Sequence, residues 1–225
     1  MPWLQGGWDI LIVTALAAVL VMAAWQGTFP YSVTETLGFV TGALCVYLVV
    51  KENVWNFPLG IANNVFLLIL FAQARIYGDA ALQIVYVALG VHGWQSWLYG
   101  GRRGAALKIA HAPVKSLAIL ALGIASITVA FAWFLHSISD AAPWLDAFTT
   151  VVSLAAQYLL NRKLIETWAL WIVADIAYIY LYLARDLELT AALYMIFLGL
   201  CVAGWWSWQK RLKANRAVNV VMASG

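Results

Sequence analysis

Apolar residues run along this chain in blocks close to the ~20 positions a helix needs to cross hydrocarbon. Gly, Pro and charged clusters separate one block from the next. Eight helical spans follow: Trp8 to Trp25, Thr36 to Val50, Phe57 to Gln73, Asp79 to Leu98, Ser116 to His136, Asp146 to Leu160, Thr167 to Ala184 and Leu189 to Trp208. The second and sixth are the shortest, and the loops leave no room for a soluble domain. Inside four spans, polar and aromatic residues recur every three or four positions, which puts them on one helix face. These stripes are Phe57, Gly60, Asn64, Leu67 and Phe71 in the third span, and Gln83, Tyr86, Gly90, Trp94 and Trp97 in the fourth. The seventh carries Trp168, Trp171, Asp175, Tyr178 and Tyr182, and the eighth Tyr194, Phe197, Cys201, Trp205 and Trp208.

The stripes are related in pairs. Gly93-Trp94-Gln95-Ser96-Trp97 returns as Gly204-Trp205-Trp206-Ser207-Trp208, 111 positions later, and the same shift carries Tyr47-Leu48 onto Tyr158-Leu159 without a gap. Three spans make up each copy, and one further helix joins them. Because three plus one is even, both copies enter the membrane in the same direction, which is a parallel repeat and excludes an inverted one. The expected fold is an all-α integral membrane protein with eight transmembrane helices arranged 1+3+1+3. Residues 1–34 hold an extra N-terminal helix and 35–98 the first three-helix bundle. Residues 99–144 hold a basic loop and the linker helix, 145–208 the second bundle, and 209–225 a basic tail. In such proteins the substrate sits near the midplane between the bundles, and small tilts expose it to alternate sides.

Composition agrees with a membrane protein. Sixty-four percent of residues are hydrophobic and only 10% charged, against about half and a quarter in soluble domains. The first span lacks the basic flank of a signal peptide, having no Lys or Arg before Lys51, so it is expected to stay as a span. With the N-terminus inside, the inner loops hold Lys51, Arg102, Arg103, Lys108, Lys115, Arg162, Lys163, Lys210, Arg211, Lys213 and Arg216, leaving Arg75 and Arg185 outside. That bias places both termini in the cytoplasm. The formal net charge of +3 comes from these anchors at lipid headgroups, so no nucleic acid is expected as partner.

Candidate chemistry is sparse. Cys45 and Cys201 lie within apolar spans, and His92, His111 and His136 are too scattered to hold a metal. No phosphate-binding Gly-x-x-x-x-Gly-Lys loop occurs, and neither metal nor cofactor is expected. Asp175 is the most informative single residue, because a carboxylate halfway along a span costs several kcal/mol unless paired, hydrated or protonated. It reads either as a structural carboxyl bonded to a neighbour or, with Trp171 and Tyr178 flanking it, as a ligand acceptor or counter-charge. The second reading is preferred, since aromatic faces beside a carboxylate suit a flat cationic ring. Asn64 and Gln83 serve equally as ligand contacts or interhelical hydrogen-bond partners. The expected substrate-binding set is Asn64, Gln83, Tyr86, Trp94, Trp168, Trp171, Asp175, Tyr178, Tyr194 and Trp205. Trp97 and Trp208 read as interfacial anchors, Gly38-x-x-x-Gly42 as a close helix contact, Asp79 and Asp146 as helix N-caps, and Glu166 as a partner of the neighbouring Arg162 and Lys163. A membrane-embedded enzyme is a poorer reading, because Asp175 has no nearby His or Cys in the sequence to act with.

The segments Gly42–Tyr47, Trp55–Asn63, Tyr77–Gln83 with Gly93-Trp94, and above all Asn161-Arg-Lys-Leu-Ile-Glu-Thr-Trp-Ala-Leu-Trp171 resemble the PnuC family of bacterial nicotinamide riboside transporters, from about Glu35 to Trp208. The resemblance implies two three-helix bundles in a full-length SWEET-like plan in the bacterial plasma membrane. It also implies uptake by facilitated diffusion, with a cytoplasmic nucleoside kinase trapping the substrate for NAD synthesis. A homo-oligomer is compatible with that plan. The family pattern more often has Asn where this chain has Asp175, and an aromatic residue at His92. Relatives of the same plan carry thiamine or riboflavin, which stand as alternative substrates, and a proton symporter using Asp175 stands as an alternative mechanism.

Overall fold

The computed structural model describes residues 7–28, 33–73, 75, 77–139, 142–184, 186 and 188–224. Arg185 and the side chain of Asp79 lie outside them. The described residues form eight α-helices: α1 (Gly7–Trp25), α2 (Val33–Val50), α3 (Asn56–Gln73), α4 (Tyr77–Tyr99), α5 (Val114–Ser137), α6 (Pro143–Asn161), α7 (Thr167–Leu183) and α8 (Glu188–Ser224). Each expected span falls on one helix. By length and composition, Asn56–Gln73, Val114–Ser137 and Thr190–Ala214 can cross a membrane, and Thr14–Trp25, Thr36–Val50 and Thr167–Leu183 are shorter apolar helices. The polar residues of α4 and α6 keep those two helices out of both groups. α8 runs on past the expected end at Trp208 to Ser224, because residues 209–224 contain neither Gly nor Pro to stop it.

The chain divides into two compact units, one ending at Trp94 and the other beginning at Gln95. In the first, α2 packs against both α1 and α3. Thr41 Oγ1 stands 3.0 Å from Asn63 Oδ1 across the α2–α3 contact, and the backbone of Gly90 in α4 comes close enough to Ile61 that an added Cβ would sit 3.0 Å from Cγ1. Gly38 does not make the close contact expected of it, since nothing lies within 4 Å of where its Cβ would be. In the second unit α6 packs against α5 and α7, and α7 against α8. α6 begins at Pro143, which suits a first helical position because its missing N–H needs no partner there. That early start puts Asp146 inside the first turn, not at the N-cap expected from the sequence, where its charge still favours the positive end of the helix.

The duplication read from the sequence recurs in backbone geometry. The α2–α3 corner turns through Glu52 at φ 57 and the α6–α7 corner through Lys163 at φ 57, at equivalent positions. At the far end of each hairpin Arg75 and Asp186, also equivalent, take φ 61 and 58. Hydrogen bonds repeat as well: Asn53 N donates to Leu48 O, and Leu164 N to Leu159 O. Even the side-chain tie across each corner joins the same pair of positions, with Cys45 Sγ donating to Asn56 O in the first copy and Thr167 Oγ1 donating to Ala156 O in the second.

A tryptophan cluster holds the α6–α7 corner of the second unit. Trp97 and Trp208, equivalent in the repeat, meet with ring centroids 6.0 Å apart, and Trp168 stands edge-on to Trp208 at 5.4 Å. All three are fully buried, so Trp97 and Trp208 are core residues and not the interfacial anchors expected. Trp97 Nε1 donates to Leu160 O at 2.9 Å, and the Lys163 ammonium lies 4.5 Å from the Trp97 ring centroid while donating to Leu107 O. The connection between α4 and α5 is fastened to this corner. Ala110 pairs with Leu164 as an isolated bridge, His111 Nδ1 lies 2.8 Å from Glu166 Oε1, and Ala112 N donates to Glu166 Oε2. Glu166 therefore pairs with His111 and not with Arg162 or Lys163, because the corner turns those cations elsewhere. Lys163→Met should keep the packing but lose the cation–π and hydrogen-bond contacts, lowering stability by about 1–2 kcal/mol. A melting curve in detergent checks this; an unchanged midpoint would show the buried ammonium to be energetically neutral.

Candidate functional site

The seventh and eighth stripes face each other. Asp175, near the middle of α7, is 6% exposed, and Cys201 of α8 donates its thiol to Asp175 Oδ2 at 3.3 Å. A thiol is a weak donor, and no partner for Oδ1 occurs among the described residues. The carboxyl is thus enclosed with one weak bond and one free oxygen. Such a group at membrane depth is incompletely compensated, and an incoming donor or cation would complete it.

One helical turn further along α7 begins an aromatic wall. Tyr178 and Tyr194 have ring centroids 4.9 Å apart, Tyr182 and Tyr194 5.2 Å, and Tyr194 and Phe197 5.7 Å. Tyr178 and Tyr182 stack on each other at 6.3 Å. The Tyr178 hydroxyl lies within hydrogen-bonding reach of Thr149 and Ser153 on α6, and Asp146 lies near enough to act on it electrostatically. Rings fixed in this way present flat faces at low entropic cost, which suits a planar ligand.

Thr149, Ser153 and Cys201 were missing from the expected set. Their signal was present: on α6 Asp146, Thr149, Ser153, Gln157 and Asn161 recur every three or four positions, a polar stripe inside an apolar helix. Cys201 already stood on the eighth stripe but read as a small hydrophobe.

The other expected residues separate into groups. Trp171 and Trp205 are half-buried on the two facing helices, and Trp94 is exposed by 38%. Trp168 lies at the foot of the α7 stripe, 1% exposed within the tryptophan cluster. Its Nε1 is buried without a hydrogen-bond partner, an unmet donor of the kind that calls for an explanation. In the first unit Gln83 is buried, while Asn64 and Tyr86 are half-buried.

Comparison with known proteins places this arrangement. Residues 32–210 match the family model described as nicotinamide mononucleotide transporter. The chain is 30% identical over 226 residues to the nicotinamide riboside transporter PnuC of Neisseria mucosa, covering 94% of this chain and 86% of that one. It is 26% identical over 221 residues to PnuC of Escherichia coli, covering 86% and 92%. The riboflavin/roseoflavin transporter RibM of Streptomyces davaonensis is 24% identical over 187 residues, covering 79% and 86%. The crystal structure of the vitamin B3 transporter PnuC superposes with a TM-score of 0.70 at 27% identity, over 91% of this chain and 90% of that one. A polar and aromatic seam within apolar helices, a duplicated corner and a family match over most of the length agree: the chain belongs to the PnuC family of transporters.

Proposed function

We propose that the protein takes up nicotinamide riboside across the bacterial plasma membrane by facilitated diffusion, as a multi-pass carrier and not an enzyme. The observation that carries this reading is Asp175, enclosed beside the Tyr178–Tyr194 wall and bonded, among the described residues, only by the Cys201 thiol. Nicotinamide riboside has a flat, positively charged pyridinium, a carboxamide and a ribose. The carboxylate answers the charge, the Tyr178–Tyr194 wall answers the ring, and Thr149 and Ser153 keep the wall in place. Trp171 and Trp205 add aromatic surface, while Trp168 stays in the tryptophan cluster behind them.

The mechanism proposed is alternating access in a 1+3+1+3 arrangement, with both termini cytoplasmic by the distribution of Lys and Arg. A cytoplasmic kinase phosphorylates the imported nucleoside, and the phosphorylated product does not fit a site whose nearby acidic groups, Asp175 and Asp146, disfavour a phosphate. Uptake then needs no ion gradient. A second reading, riboflavin, is favoured by the similarity to RibM and by the same aromatic wall, but leaves the Asp175 charge without a partner.

A thermal-shift series on purified protein with nicotinamide riboside, its mononucleotide, thiamine and riboflavin separates these readings. Nicotinamide riboside should raise the melting midpoint most, and the mononucleotide little. Equal stabilisation by the mononucleotide would defeat trapping, and a larger shift with riboflavin or thiamine would reassign the substrate.

A further inference from the structure

Between α5 and α6 an apolar slot of about 250 Å³ opens on the outside of the second unit, lined by Leu120, Gly123, Ile124, Val151, Leu154 and Ala155 among others. Gly123 forms part of its floor, and a Cβ there would meet nothing within 4 Å. Following α6 towards its C-terminus, Val151, Ala155, Tyr158 and Arg162 succeed one another at intervals of three and four, with Leu154 beside them, so they share one helix face. At the end of that face the Arg162 guanidinium stacks on the Tyr158 ring, 4.9 Å from its centroid. Tyr158 is exposed by 43%, and no carboxylate among the described residues pairs with Arg162. At 1.5 Å per residue, Val151 to Ala155 lie ~10–16 Å along the helix from Arg162, which is the depth of one leaflet in a ~30 Å hydrocarbon core. A fixed cation at headgroup level above a glycine-floored apolar slot at acyl depth has the dimensions of one phospholipid.

We propose that the α5–α6 face binds an anionic phospholipid, its phosphate on Arg162 and one acyl chain in the slot over Gly123. The repeat sharpens the assignment to Arg162. The equivalent cation, Lys51, also stacks on its tyrosine, Tyr47, at 5.5 Å, so stacking belongs to the corner itself. In the second copy the stacked cation is followed along the same helix by an open apolar slot. A zwitterionic lipid would bring its own cation close to Arg162, so an anionic headgroup is preferred.

Native mass spectrometry of the full-length protein reads this directly, with phosphatidylglycerol and phosphatidylcholine of the same acyl chains added in turn. The wild type should retain one phosphatidylglycerol about fivefold more strongly than phosphatidylcholine, the preference expected of one basic residue near the membrane surface. Arg162→Gln should remove that preference, while Gly123→Phe, which fills the slot, should lower retention of both lipids. Lys115→Gln, a basic residue at the same end of α5 but off this face, should leave the preference in place. Equal retention of the two lipids by the wild type overturns the proposal, as does a loss with Lys115→Gln equal to that with Arg162→Gln. A Gly123→Phe effect on the association of chains, with lipid retention unchanged, would assign the slot to a second copy instead.

Discussion

Asp175→Leu is expected to lower uptake of nicotinamide riboside by roughly tenfold to a hundredfold while leaving the fold intact. Among the described residues the carboxyl is bonded only by the Cys201 thiol, buried on α7, so replacing it by an apolar side chain of the same branched shape removes a desolvation penalty and should leave the bundle folded. Binding is different, because the ligand would then bring its donors and charge against a hydrocarbon side chain. An unmet polar group in such a place costs about 1–3 kcal/mol, roughly tenfold to a hundredfold in affinity. Asp175→Asn keeps an acceptor at Oδ1 and should retain uptake to within about fivefold. Uptake into proteoliposomes with no gradient applied is the measurement, with a melting curve as the check on folding. Full uptake by Asp175→Leu would remove Asp175 from the site. Loss in Asp175→Asn, together with a requirement for a proton gradient in the wild type, would make the protein a proton symporter.

Gly204→Ala should produce the largest loss of stability. A Cβ at this position would lie 2.5 Å from Cζ2 and 2.6 Å from Cζ3 of Trp168, and closer still to Cη2. The indole cannot retreat, since it is buried and packed edge-on against Trp208. Overpacking of this kind costs about 1–3 kcal/mol where neighbours can shift, and a rigid ring in a closed cluster places the cost at the upper end or above. Gly199→Ala is the control: it lies on the same helix, nothing stands within 4 Å of the new methyl, and alanine favours the helix by about 1 kcal/mol. A lower melting midpoint for Gly204→Ala beside an unchanged or higher one for Gly199→Ala is the expected pair. Combining Gly204→Ala with Trp168→Phe should recover part of the loss if the clash is its cause. Equal midpoints for the two glycine variants would mean that the tryptophan cluster is loosely packed.

These two residues show how far the sequence could be read. Asp175 stood out because an acidic residue in an apolar span is expensive wherever its partners lie, and that energy depends on composition and depth alone. The importance of Gly204 was not legible. It formed part of the repeated Gly-Trp-x-Ser-Trp block, but nothing along the chain says that the partner of its missing side chain is Trp168 of another helix. Trp97 and Trp208 make the same point in reverse. A tryptophan near a helix end is as well suited to a membrane interface as to a core, and only the meeting of α4, α6 and α8 decides for the core. Glu166 was similarly misassigned, because proximity in sequence favoured Arg162 and Lys163 while the corner turns them away and brings in His111 from the preceding connection.

The sequence by itself determined the helices, their approximate bounds, the duplication and the stripes. Each of these follows from periodicity, composition and local steric preference, quantities that depend on neighbours within a few positions or on a simple shift of register. Tertiary structure decided which stripe residues line the Asp175 seam and which became core. Asp175 met Cys201, Tyr178 met Tyr194 and the α6 hydroxyls, and Trp168 withdrew into the tryptophan cluster. Those outcomes depend on which faces of separate helices come together, and packing between surfaces distant in the chain leaves no mark on the local pattern of either.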